Sequence, residues 1–177
     1  MAKCHNYQVF LRKLEISDQL QAVAAHNELA REKWEFLLNY KPEMDWAEYL
    51  TFLDFESQGL GISKGRVPAT FLIAEENGIL VGRASIRHKL NEFLFNIGGH
   101  IGYGVRPDYR GKGYAKEILK QSLDYLGRLG VTKALVTCDD TNIASMKVIE
   151  SQGGVLENKV TFEGALKRRY WIEISKN

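Results

Sequence analysis

Between Arg106 and Ala115 the chain reads RPDYRGKGYA, in which Arg110 and Lys112 alternate with Gly111 and Gly113. The chemistry open to such a string follows from the backbone. The first turn of a helix presents about four amide N–H groups without partners and a partial positive charge. Glycine has no Cβ, so the chain there can curve and approach a bound group closely. Arginine and lysine add full positive charge beside it. A phosphate or diphosphate suits such a cradle. A plain strand–turn–helix connection with solvated Arg and Lys uses the same residue types, and the glycines and charges alone do not separate the two. Two familiar phosphate motifs fail on spacing. A P-loop needs GxxxxGK[ST], but Gly104 lies too far from Gly111, and Gly113 follows Lys112. A dinucleotide fingerprint needs GxGxxG, but Gly102-Tyr103-Gly104 is followed by Val105, Arg106 and Pro107.

Other reactive types are sparse. Cys138 ends an apolar run with no identifiable base partner, which reads as a small core residue. Trp34, Trp46 and Trp171 read as core rather than a ligand cage, and Lys167-Arg168-Arg169 as a solvated strand face. The two cysteines, Cys4 and Cys138, form no CxxC pair, which points to a reducing cytoplasm and away from a disulfide framework or zinc site. A net charge of +2 argues against a general nucleic-acid binder. No apolar run approaches the roughly 20 residues of a membrane span, and the N-terminus lacks the apolar core of a signal peptide. The expectation is one cytoplasmic domain over 1–177, with neither nucleic acid nor membrane as partner.

The elements that must position the turn follow from periodicity. Residues 7–16 partly alternate and predict an opening strand. Ser17 is the expected cap of a helix with Leu20, Val23, Ala24 and Asn27 on one spacing; Lys41-Pro42 interrupts it, and a second helix carries Trp46, Tyr49, Leu50 and Leu53. ATFLIAEENGILVGRASIRH predicts two strands joined at Asn77-Gly78. LNEFLFNIGG is open between loop and turn. HIGYGV is a strand, and GKGYAKEILKQSLDYLGRLG the helix after it. VTKALVTCDD is a strand of the buried type, TNIASMKVIESQGG a short helix, and the rest two strands around Glu163-Gly164. The order strand, two helices, three strands, helix, strand, helix, two strands predicts a mixed sheet with helices packed on it.

With these elements in place, VRPDYRGKGYA resembles motif A of the GNAT superfamily of N-acetyltransferases, whose signature is [QR]-x-x-G-x-[GA]. Arg110, Gly113 and Ala115 fill its fixed positions. NIASMKVIESQGG resembles motif B, with Asn142 and Ser145 at the polar positions and Gly153 at the terminating glycine. The resemblance implies an α/β (α+β) fold with a mixed, mostly antiparallel sheet of six to seven strands, about four flanking helices and a splayed central strand. It also implies acetyl-CoA as donor and no metal. The pyrophosphate would sit on the amides of Gly111, Lys112, Gly113, Tyr114 and Ala115, flanked by Arg110 and Lys112. The backbone of Tyr103, Gly104 and Val105 would hold the pantetheine arm. Gly102 and Gly104 are consistent with a bulge there. Asn142 would touch the arm from the other side, unless it serves only to start its helix.

The resemblance likewise frames the catalytic candidates. An acceptor amine must be neutral to attack, so a base should take its proton. His100 is the expected base, a histidine held by hydrogen bonds beside Gly98-Gly99 being the alternative; Glu92 stands behind it. Many family members carry a tyrosine seven residues after the motif B asparagine, where this chain has Ile149. Tyr103, Tyr170 or water then remain as proton donors. Direct transfer in a ternary complex is expected, with a small-molecule amine or a peptide N-terminus as acceptor, entering over the N-terminal helices. Family members often dimerise, so a homodimer is open. A catalytically silent acyl-CoA sensor or interaction module is the rival reading, supported by the missing tyrosine; motif spacing disfavours a nucleotide-binding domain.

Overall fold

A computed structural model describes residues 9–175, so Cys4 and the start of the expected opening strand lie outside the described residues. Strand β1 is only Phe10–Arg12. A 3-10 turn over Ile16–Asp18 follows, because buried Asp18 gathers the Glu15 amide at 2.7 Å and both terminal nitrogens of Arg12 at 2.6 and 2.8 Å. The Arg12 guanidinium holds this carboxyl below the usual range.

Helix α1 spans Gln19–Ala30. Ser17 lies in the preceding turn, and Asp18 occupies the cap position. The buried face is Ala22, Ala25 and Leu29 rather than the expected stripe, and Leu20 is exposed. The helix also stops earlier than the apolar spacing suggests. The Leu29 carbonyl accepts the amides of Glu32 and Trp34 at 2.9 and 3.1 Å, and Lys33 adopts φ 57°. Phe36 and Leu37, which look like another helical turn, are fully buried anchors of an irregular segment. Helix α2, Trp46–Gln58, begins where Asp45 accepts the Ala47 and Glu48 amides at 2.9 and 3.1 Å.

Strands β2 (Ala69–Glu76) and β3 (Ile79–Arg87) form the expected hairpin, with Asn77 and Gly78 at φ 51° and 80°. One wide helical turn, Leu94–Gly98, occupies the segment before β4, Ile101–Val105. Then come α3 (Tyr114–Arg128), β5 (Lys133–Asp139), α4 (Ile143–Ser151), β6 (Val155–Phe162) and β7 (Ala165–Glu173). The seven strands make two antiparallel sheets, β1-β2-β3-β4 and β5-β7-β6.

The sheets meet at β4 and β5, and only where those strands begin. The His100 amide donates to the Leu135 carbonyl at 2.7 Å, and His100 Nδ1 accepts the Leu135 amide at 3.0 Å. Beyond that clasp β4 and β5 share no ladder. This is the expected splay, but its cause differs from the expected one. β4 pairs with β3 in unbroken register from Ile101↔Ile86 to Val105↔Gly82, so β4 contains no bulge. Its glycines make room instead. A Cβ on Gly104 would come within 2.4 Å of the Trp34 indole, and one on Gly102 within 3.1 Å of the Arg87 guanidinium.

Apolar clusters on both faces fix the gap. Ile86, Ile101, Ile118, Leu119, Val136 and Tyr170 belong to the cluster that includes α3, α4 and both sheets. Leu29, Phe36, Leu37, Tyr49 and Ile73 pack α1, α2 and the segment between them onto the first sheet. Each such side chain contributes about 1.5–3 kcal/mol by leaving water.

Candidate active site

A cavity of about 410 Å³ occupies the gap. Its walls are β4 (Tyr103, Gly104, Val105), the turn before α3 and the helix's first residues (Arg110, Ala115), the start of α4 (Asn142, Ser145) and the end of α1 with the chain just after it (Leu29, Glu32, Trp34). The β4 wall has a specific hydrogen-bonding character. Residues along an antiparallel strand point their amides alternately to either side. The Arg106 amide donates to Val81 on β3 at 2.9 Å. By that alternation the backbone groups of Tyr103 and Val105 face away from β3, into the gap. Arg110 Nε donates to the Val105 carbonyl at 3.1 Å, which agrees.

The turn before α3 has the conformation its glycines permit. Gly111 and Gly113 sit at φ 74° and 88°, where L side chains are strained, and no atom lies within 4 Å of a Cβ built on either. Glycine is therefore required here by the backbone, not by crowding. Gly113 occupies the cap position of α3 and offers no side chain to the first-turn amides. Arg110 grips Glu32 through both terminal nitrogens, at 3.1 and 2.6 Å, and holds that carboxyl below its usual range. Lys112 donates to the Asp108 carbonyl at 2.9 Å. Tyr114 is buried, with its hydroxyl donating to Glu76, so at this turn it presents its backbone rather than its ring.

Across the gap, the Tyr103 and Ser145 hydroxyls are 3.0 Å apart. Burial pushes the Tyr103 phenol up to about 12, so it is protonated at neutral pH. Asn142 caps α4 by accepting the Ser145 amide at 3.0 Å. That is the helix-start role, and the residue lines the cavity as well.

A second cavity, of about 380 Å³, shares Trp34, Tyr103, Asn142 and Ser145 with the first. Arg83, Arg87, Thr137 and Cys138 also line it. Burial pushes the Cys138 thiol up, so it is no thiolate nucleophile. The two cavities adjoin at Tyr103 and Ser145, which line both.

Of the residues singled out from sequence, Tyr103, Gly104, Val105, Arg110, Ala115, Asn142 and Ser145 line the first cavity, while Gly111, Lys112, Gly113 and Tyr114 form the turn at its end. His100 is not brought to the site. It lines neither cavity, its Nδ1 is committed to Leu135, and burial, with the charge of Arg87, lowers it to about 4. The expected base is thus the hydrogen-bonded clasp between β4 and β5. Tyr170 is fully buried and lines neither cavity, and Ile149 is fully buried in the core. Glu32, Trp34, Arg83 and Arg87 were not anticipated. For the arginines a signal existed: two cations four apart on one face of the apolar strand ILVGRASIR.

Among the described residues no group of three His, Cys, Asp or Glu side chains could hold a metal ion, and no helix is long and apolar enough to cross a membrane.

Comparison with known proteins agrees with this geometry. Residues 8–155 match the family model described as Acetyltransferase (GNAT) domain. Solved structures share the fold. Mycobacterium smegmatis RimJ in complex with CoA-disulfide is 19% identical, with a TM-score of 0.68 over 93% of this chain and 81% of that one. A spermidine N-acetyltransferase SpeG chimera from Vibrio cholerae and hSSAT is 19% identical, TM-score 0.63, over 96% and 97%. Salmonella typhimurium yncA, solved with its cofactor acetyl-CoA, is 18% identical, TM-score 0.63, over 96% and 95%. No curated protein matches the chain at a significant level. With the split sheet, the glycine turn and a family model spanning most of its length, the chain belongs to the GNAT acetyltransferase family.

Proposed function

We propose that the protein transfers an acetyl group from acetyl-CoA to a primary amine, the two substrates meeting inside the gap between β4 and β5. The observation that carries this reading is the pair of cavities that adjoin at Tyr103 and Ser145, one reaching the glycine turn at the start of α3 and the other lined by polar side chains. Acetyl-CoA supplies an acyl group activated as a thioester. The residues present fit it. The α3 turn, with Arg110 and Lys112, suits its diphosphate. The Tyr103 and Val105 backbone groups suit an extended amide-bearing arm, which pairs with them as an added strand would.

Within that arrangement the amine nitrogen attacks the thioester carbonyl, the C–S bond breaks, and the amine proton and the thiolate must both be accommodated. A Tyr103 backbone donor stabilises the developing oxyanion. The Tyr103 hydroxyl, protonated and paired with Ser145, gives the departing sulfur its proton and recovers, through water, the proton that the attacking nitrogen sheds. The amine reaches its neutral form through water, since buried His100 is committed elsewhere. Holding both reactants together beside Tyr103 supplies much of the acceleration.

The test is thermal melting with acetyl-CoA, CoA and ATP, followed by thiol release across a panel of amines. Stabilisation by the two CoA species and not ATP, with thiol release for one amine class, is the expected result. Stabilisation by ATP alone would remove the reading.

A further inference from the structure

We infer that the acceptor amine is a small amino acid, whose carboxylate seats on Arg83 and Arg87; this rests on the acetyl-transfer reading above.

The two arginines lie on the same face of β3, since residues four apart on a strand point the same way, and both line the second cavity. Arg83 is 5% exposed. It donates to two backbone carbonyls, Gly102 at 3.2 Å and Glu35 at 2.8 Å, and lies over the Trp34 ring at 4.1 Å. Its Nε is buried with no hydrogen-bond partner, and so is Nη1 of Arg87. Among the described residues neither arginine forms an ion pair. The acids nearby are engaged elsewhere. Glu56 holds Arg66 at 2.7 Å, the Glu35 carboxylate takes the Asn39 amide at 2.8 Å, and Asp139 is paired with Lys167. Burial, and then the charge of Arg87, push the Arg83 guanidinium downward.

Burying two like charges with no carboxylate in ion-pair contact is costly, even with Glu35 and Glu56 nearby, and guanidinium groups stay protonated, so the cost is not relieved by neutralisation. An anion entering the cavity relieves it. Two planar donor groups with unused N–H bonds match the two oxygens of a carboxylate. The seat is close to Tyr103. The Arg87 guanidinium flanks Gly102, the neighbour of Tyr103, and Arg83 donates to the Gly102 carbonyl. A carboxylate held there leaves its own molecule's amine within a few bonds of the Tyr103–Ser145 pair, and a cavity of about 380 Å³ admits an amino acid. The same pair of cations repels a polyamine, which sets this chain apart from the spermidine enzyme whose fold it shares.

The experiment uses the full chain, the common amino acids and their α-amides. Each is assayed by thermal melting at millimolar concentration and by thiol release from acetyl-CoA. Amidation removes the carboxylate while lowering the amine pKa, so any loss of rate reflects the missing charge rather than a protonated nucleophile. At least one amino acid should raise the melting temperature and support thiol release, with kcat/KM about 10- to 100-fold lower for its amide, as expected for a lost charged hydrogen bond. Arg87→Met should impose a similar loss on the amino acid while melting no lower than wild type without ligand, because an unpartnered buried charge has gone. If that variant fails to fold, the amide comparison on the wild-type chain decides alone.

Thiol release confined to amines without an anionic group, or no melting shift from any amino acid while acetyl-CoA gives one, would overturn the proposal and leave acetyl transfer intact. Absence of any acetyl-CoA effect would overturn acetyl transfer, and the amino-acid melting shifts would still report on the arginine pair.

Discussion

The Tyr103 and Ser145 hydroxyls, one from β4 and one from α4, face each other at 3.0 Å where the two cavities join. Neither strand nor helix could place such a pair alone; the split between the sheets creates the distance. Tyr103→Phe keeps the ring and removes the proton. It should lower kcat by about 100-fold while leaving the dissociation constant for CoA unchanged. Steady-state kinetics beside calorimetric CoA titration checks this, and an unaltered kcat would take the tyrosine out of the reaction.

Gly113 combines a left-handed backbone with a place at the head of α3. Gly113→Glu adds strain of about 1–2 kcal/mol and a negative charge where the diphosphate is expected. CoA should then no longer raise the melting temperature, although the unloaded variant still unfolds cooperatively. Gly113→Ala carries the strain without the charge and should retain much of the CoA effect, separating the two causes.

Gly104 accommodates the Trp34 indole, and a methyl group there would overlap the ring at 2.4 Å. Gly104→Ala should cost about 1–3 kcal/mol in urea unfolding. Adding Trp34→Ala should recover part of that loss rather than add to it, since the two residues share one space. Simple additivity would show that the ring does not sit over β4.

His100 yields a dependence of stability, not of rate, on pH. Its folded value is lowered from 6.5 to about 4, so between those values the unfolded chain binds more protons than the folded one. The stabilisation from keeping this ring neutral is present above pH 6.5 and disappears as pH falls toward 4. The full effect is about 3 kcal/mol. His100→Gln should be less stable than wild type at pH 7 and should flatten the melting curve against pH over that window. The rate should rise with pH according to the amine, without an inflection from His100.

Local chemistry made much of this legible. The glycine turn, the Asn77-Gly78 hairpin and the capping Asn142 each act within a few residues, and the structure places them as the sequence implies. The misjudged features depend on distant partners. Phe36 and Leu37 continue a helical spacing, but their burial against α2 and the first sheet holds an irregular segment. Gly102 and Gly104 suggest a bulge, yet they serve Arg87 and Trp34, which only tertiary folding brings near. His100 has a useful residue type in a useful place along the chain, but its ring turns to Leu135 on the neighbouring sheet. Arg83 and Arg87 matter through what does not pair with them, which no local pattern reveals.

The divergence of β4 from β5 also leaves an unpaired sheet edge. An unpaired sheet edge ordinarily invites other chains to add on and so seeds aggregates. Here that edge is recessed between the first turns of α3 and α4, with the chain after α1 across its mouth. A thin extended guest suits such a recess better than the flank of another folded sheet does. The fold keeps a sticky surface available by choosing who can fit.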